Sequence, residues 1–176
     1  MKKIIHKSET RGLANHGWLK SYHTFSFANY QNLERMNFGA LRVLNDDIVQ
    51  PKMGFGTHPH KNMEIISIPI SGSLSHKDSM QNKRAIEVGE VQVMSAGTGL
   101  THSEFNDSSS EEVNFLQLWI LPELENVTTN YDKKYFAKEG RKNKFQTLVS
   151  PKDKLVDGSL PINQQGYLSM IDLDKD

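Results

Sequence analysis

Two short tracts carry side chains able to do chemistry together: His58-Pro59-His60 and His102-Ser103-Glu104. In an extended strand, residues i and i+2 project from one face, roughly 6.6–7 Å apart. His58 and His60 would therefore point one way, and His102 and Glu104 would share a face of a second strand. Brought together inside a barrel, the tracts would converge three imidazole nitrogens and one carboxylate. That donor set suits a divalent ion such as Fe(II), Mn, Co, Ni, Cu or Zn. It leaves positions where water, O2 or a substrate oxygen could bind. Glu64, at the head of an apolar run, offers a second carboxylate. Gly97-Thr98-Gly99-Leu100-Thr101 leads into the second tract, where glycine lets the backbone turn sharply. The bland alternative is a pair of solvent-facing histidines with no ligand.

The elements that must position these tracts read as strands. Period-2 patterns and β-branched clusters recur between Gly, Pro, Asn and Asp. Phe38–Leu44 reads as a strand closed by the turn-prone Asn45-Asp46-Asp47. Met63–Ile68, Ser73–Asp78 and Glu90–Met94 follow, and Val113–Leu121 carries the strongest β signal before Pro122. Almost no helical period is present up to that point, which predicts an all-β antiparallel sandwich or barrel. Glu123–Lys144 is polar and charged, with Tyr131–Phe136 as a possible helical turn, and reads as a linker or a wrapping excursion. Phe145–Val149, Leu160–Ile162 and Tyr167–Leu173 look like further short strands. The expected organisation is a metal-binding domain over 1–122, a linker over 123–144 and partial C-terminal strands over 145–176. About thirty residues cannot bury a core alone, so the last part must pack on the first or pair with another chain.

Composition narrows the function classes. Of 176 residues, Lys plus Arg is 21 and Asp plus Glu is 21, a formal charge of zero. No basic excess exists to neutralise a row of phosphates or seek an anionic bilayer, so neither nucleic acid nor membrane is an expected partner. Cysteine is absent, which removes disulfides, thiolate metal sites and Cys nucleophiles and fits a reducing compartment. Met1–His6 is basic but lacks an apolar stretch long enough for a signal peptide. A cytoplasmic globular protein is the expectation. Among other residues, His76 is expected at solvent or at the core edge. His6, His16 and His23 are expected to be structural or surface residues. Trp18, Phe25 and Phe27 are expected to pack the N-terminal segment on the barrel.

Gly54, His58, His60, Glu64 and Gly72, followed by Gly89, Gly99, His102 and Asn106, resemble the paired metal-binding motifs of the cupin superfamily. Ser95 stands where the second motif expects Pro, and two residues are inserted before Gly99. The chain is more closely similar to the pirin family. Gly17–Ser21 with Phe25–Tyr30, Phe38–Asp46, Gly54–His60, Gly72–Met80 and Ala96–Glu104 carry that resemblance. It implies a cupin-type antiparallel β-barrel or jelly roll, with a C-terminal extension resembling the start of a second cupin barrel. It implies metal ligation by His58, His60, His102 and Glu104, with Fe(II) favoured and Glu64 held in reserve. It also implies an activity: a quercetin 2,3-dioxygenase-like oxidoreductase that opens flavonols with O2 and releases carbon monoxide, Glu104 serving as general base. The alternative it carries is a non-catalytic metal-binding regulator that contacts protein partners. Pirins have two barrels, so a site with only the opening strands of the second would have a wider mouth, or one closed by another subunit. The final strands are candidates for homo-oligomer or partner pairing.

Overall fold

The computed structural model describes residues 4–174. The Met1–Lys3 part of the N-terminal reading, and the last two positions of the 145–176 segment, lie outside the described residues. Fourteen strands follow in chain order. They are β1 (Gly12–Asn15), β2 (Leu19–His23), β3 (Leu41–Val49), β4 (Gly54–His60), β5 (Glu64–Ser71), β6 (Ser73–Asp78) and β7 (Lys83–Glu87). Then come β8 (Glu90–Ser95), β9 (Leu100–Asn106), β10 (Val113–Ile120), β11 (Asn130–Tyr135), β12 (Gln146–Pro151), β13 (Leu160–Ile162) and β14 (Leu168–Met170). A seven-stranded sheet, in the order β1-β2-β3-β10-β5-β8-β11, faces a four-stranded sheet, β4-β9-β6-β7. All ladders in both are antiparallel, as the alternating patterns and short turns require. This is the cupin-type all-β architecture. Among the described residues, no helix is long and apolar enough to cross a membrane.

Strand parity divides the large sheet into two buried faces. Inward positions of β3, β10 and β2 build one apolar cluster with the small sheet, from Leu19, Val49, Leu74, Ile86, Val113 and Phe115. A second inner cluster joins Ile65, Met94, Ala96 and Leu100. Along β10 the inward residues run Val113 and Phe115 in the first cluster, then Gln117, then Trp119 against the second. Polar Gln117 thus marks a break in the apolar filling, and the site lies there.

The outer face is covered by β13-β12-β14. Ile66, Ile68, Val91, Val93 and Leu118 meet Phe136, Leu148, Val149, Leu160 and Ile162. Burying each Val, Leu or Ile side chain contributes about 1.5–3 kcal/mol, so the C-terminal strands are held by a real core. Residues 145–174 therefore pack on the first part of the chain. The segment expected as a linker, 123–144, instead supplies β11, paired with β8 along its whole length. Tyr131 is the reason its strand was hidden. Only this side chain of the polar Asn130–Tyr135 run reaches the inner cluster, too little alternation to outweigh five polar or exposed neighbours.

Glu64 shares the outward parity of Ile66 and Ile68, which turns it from the interior of the barrel. Its buried carboxylate accepts hydrogen bonds from Ser95 Oγ at 2.7 Å, Asn163 N at 3.1 Å and Asn163 Nδ2 at 3.2 Å. It therefore pins the loop after β13 to the large sheet. Glu64→Ala would strand these donors, and is expected to lower unfolding free energy by about 1.5–3 kcal/mol in a denaturant titration, with bound metal unchanged. Loss of metal at full stability would return Glu64 to the ligand set.

Candidate metal centre

Pairing of β4 with β9 assembles the site. Phe55 faces Glu104 and His58 faces His102, so three residues of β4 span two of β9. The extra residue is a bulge at Gly56–Thr57. Without it Thr57, not His58, would oppose His102. Bulges commonly re-aim side chains at sites in this way. Gly54 lies so close to β9 that a Cβ would collide with the backbone carbonyl of Glu104, which explains a glycine there. One strand further on, β6 places His76 opposite Glu104 and Asp78 opposite His102.

The three predicted imidazoles meet. Ring centroids are 4.9 Å apart for His58 and His60, 4.4 Å for His58 and His102, and 4.8 Å for His60 and His102. Their donor atoms lie within 4.8 Å of one another, and so do those of His76, His102 and Glu104. Glu104 thus joins the cluster through His102 and does not form a single four-membered group with His58 and His60. Its carboxylate is held in place: Gln117 Nε2 donates to Oε2 at 2.6 Å and Ser67 Oγ donates to Oε1 at 3.1 Å. Gln117 Oε1 in turn accepts from Trp119 Nε1 at 3.0 Å, and the Trp119 ring packs on His60 at 4.8 Å.

These side chains fit a divalent cation. Nε2 of His60 and both ring nitrogens of His102 are buried without a hydrogen-bond partner. Burial, reinforced by His58, lowers the His60 pKa to about 4, and the same two causes with His60 and His76 lower His102 to about 2. Both are neutral near pH 7, each with a lone pair available to a cation. His58 Nδ1 lies 2.7 Å from the Gly56 carbonyl. Donating that N–H leaves Nε2 free, the outer contact usual for histidines that ligate metals. Burial raises the Glu104 pKa, opposed by His76, Gln117 and Ser67, so the carboxylate gains from a cation nearby.

Sequence reading missed part of this neighbourhood. His76 is fully buried and not at an edge: its Nε2 is 3.1 Å from Asp78 Oδ2, and its ring lies 5.3 Å from His102 and stacks on Tyr131 at 4.7 Å. The signal was the shared parity of Leu74, His76 and Asp78, all buried. His23, expected as structural or surface, is buried and lines a chamber of about 260 Å³ that also reaches His58 and Glu104. Phe27 lines the same chamber, whereas Trp18 packs edge-on against Phe55 beside the first inner cluster, as expected. Nor does β3 stop at Leu44. Asn45 and Asp47 continue the inward parity of Val43 and Val49 and project into the chamber.

Comparison with known proteins bears on the fold and the family. The barrel and its histidine cluster define a cupin-type protein. The Pirin family model matches residues 6–120, and the chain belongs to the pirin family. It is 49% identical over 161 residues to quercetin 2,3-dioxygenase of Escherichia coli K12, covering 91% of this chain and 67% of that protein. A pirin-like protein of Caulobacter vibrioides is 46% identical over 139 residues, covering 79% of this chain and 60% of that one. The chain thus spans about two thirds of the length of these relatives. The bacterial pirin YhhW from Escherichia coli, solved in complex with nickel(II), superposes with a TM-score of 0.86 at 48% identity, covering 93% of this chain and 68% of that one.

Asp47 gives a pH signature. Burial first, then Glu104 and Asp46, raise its pKa from 3.8 to about 7, against a lowering hydrogen bond with Ser21. The folded state therefore binds the proton more tightly than the unfolded one. The resulting penalty is absent below pH 4, grows up to pH 7 and stays constant above. After chelation, Asp47→Asn is expected to raise stability by on the order of 2–4 kcal/mol at pH 8 and hardly at pH 4, read from thermal melts. Equal gains at both values would contradict the burial argument.

Proposed function

We propose that His58, His60, His102 and Glu104 hold one divalent transition metal, and that the chain is the metal-binding part of a flavonol 2,3-dioxygenase. The observation that carries this reading is the convergence of three imidazoles, with a buried carboxylate beside His102, next to a chamber that His58 and Glu104 line. The relative named quercetin 2,3-dioxygenase and the relative solved with nickel(II) support it. Iron(II) is our first choice of metal, and the donor set also suits Mn, Co, Ni, Cu and Zn.

A bound divalent metal would supply positive charge that favours the deprotonated form of a substrate hydroxyl and an open position for substrate or O2. The remaining work falls to the chain. Phe27 and Trp119, edge to face at 5.3 Å, wall the chamber with aromatic surface and admit a flat ring system. Their enclosure limits water and holds the reacting carbons in place. Glu104 takes the proton from the flavonol 3-hydroxyl onto a carboxylate oxygen. Each oxygen already accepts one hydrogen bond, from Gln117 or Ser67, and keeps lone-pair capacity for that proton. Gln117 also ties Glu104 to Trp119, which fixes the base relative to the aromatic wall. The flavonol and O2 leave as a ring-opened ester and carbon monoxide.

Two experiments test this reading. His58→Ala and His102→Ala are each expected to lower metal content sharply in elemental analysis, with the β-rich circular dichroism spectrum kept; full metal content in both variants would remove the ligand assignment. Protein loaded with Fe, Mn, Co, Ni or Cu is expected to take up O2 and bleach the quercetin absorbance band, with Glu104→Gln at least about 100-fold slower. No uptake with any of the five metals would leave a non-catalytic metal-binding protein instead.

A further inference from the structure

The chamber has a second polar wall that the ligand set does not use. It is built by strand pairing. Gln117 on β10 pairs with Asn45 on β3, and Asn45 pairs with His23 on β2; one step along, Asp47 pairs with Ser21. All five residues line the chamber, as do His58 and Glu104. All are more than nine-tenths buried: Ser21, His23, Asn45 and Asp47 are each 3% exposed and Gln117 is 8%. Gln117 is committed to Glu104 and Trp119. The others are not. Oδ1 of Asn45, Oδ1 of Asp47 and Nδ1 of His23 have no hydrogen-bond partner among the described residues.

Three unpartnered polar atoms on one wall are expensive in a fold, about 1–3 kcal/mol each. Inward positions of β3 on either side hold Val43 and Val49, so aliphatic side chains fit this face. A wall that forgoes apolar filling beside a site signals recognition of something that enters. Its two unpartnered oxygens ask for donors. Asn45 Oδ1 and Asp47 Oδ1 accept hydrogen bonds, so the complement must bring O–H or N–H groups. A carboxylate arriving there would confront Asp47.

We propose that Asn45, Asp47 and His23 form a subsite that selects substrates bearing hydroxyl donors beyond the one that meets the metal, that is, polyhydroxylated phenolic compounds over their bare or O-methylated analogues. This rests on the chamber being the substrate site of the reading above. Gln117 separates the two functions: on one side it fixes Glu104, and across the ladder it faces the subsite. Phe27 packs edge to face on His23 at 5.1 Å and on Trp119 at 5.3 Å. One aromatic side chain therefore spans both ends, and a planar ligand lying along it would touch the reacting end and the selecting end together.

The test compares two ligand pairs on zinc-loaded full chain without turnover. Quercetin and 3-hydroxyflavone share the 3-hydroxyl and differ in the remote hydroxyls. Resorcinol and 1,3-dimethoxybenzene probe the phenol donors alone. Binding is followed by absorbance titration for the first pair and ligand-observed NMR for the second. The wild type is expected to prefer the hydroxylated member of each pair, by about tenfold for the flavonols, because unmet buried acceptors reject the analogue that lacks a donor. Asn45→Leu, close in shape, is expected to bring that ratio within about threefold of unity, by weakening the hydroxylated ligand and leaving metal content unchanged. Asp47→Asn, which keeps size and removes the charge, reports independently should Asn45→Leu not fold, and is expected to narrow the ratio as well.

No preference in the wild type for either pair would overturn the subsite, as would a preference that persists in both variants. Flavonols bound without discrimination, and no phenol preference, would sink the subsite and spare the metal-site reading. Flavonols that do not bind, with a phenol preference lost in the variants, would sink the flavonol reading and uphold the subsite.

Discussion

The pairing of β4 with β9, and the bulge at Gly56–Thr57 within it, is the constraint on which the chemistry depends. A strand displays alternate residues on alternate faces, so a slip of one position would carry every side chain of β4 to the opposite side. The bulge absorbs one residue, and the pairing that follows brings His58 opposite His102. From that one register the remaining geometry unfolds: His60 lies two positions on along β4, Glu104 two positions after His102 along β9, and His76 across from Glu104 on β6. Gly54 permits the close approach that the ladder needs at this end.

A barrel interior that carries this many polar groups must be stabilised elsewhere. Ser67, His76, Gln92, His102, Glu104 and Gln117 are all buried between the sheets, where a purely structural protein would place aliphatic side chains. Some of them satisfy one another, as in the Ser67–Glu104–Gln117–Trp119 chain. Others wait for a cation or a ligand. The compensating apolar contacts lie on the opposite face of the large sheet. There the C-terminal strands cover Ile66, Ile68, Val91, Val93 and Leu118, and Glu64 locks the cover through Asn163. Division of labour between the two faces lets the inner one depart from close apolar packing while the outer one supplies the core.

The pairs His58/His60 and His102/Glu104 were legible because the members of each lie two residues apart on a strand, a spacing that fixes relative direction whatever the rest of the fold does. Three other features were hidden for a common reason: their parity carried the message and their residue types masked it. Asn45 and Asp47 read as a turn by composition, yet they hold the inward positions of a nine-residue strand. His76 reads as a solvent or core-edge residue, yet with Asp78 it shares the buried face of Leu74. Glu64 matched a motif position by type, yet it faces the same way as Ile66 and so cannot look into the barrel. β11 lacked an adequate local signal, since its place depends on β8 offering a free edge.

The central claim is that one metal ion sits among the rings of His58, His60 and His102 with Glu104 at its side. The most direct measurement is anomalous diffraction from crystals of the protein loaded with nickel(II), collected on either side of the metal's absorption edge. We predict a single strong anomalous peak about 2.0–2.2 Å from one nitrogen of each of those three rings, the usual metal–nitrogen distance, with a Glu104 oxygen completing the set. A peak bound to His76 in place of His58 and His60, or no peak inside the barrel, would contradict it.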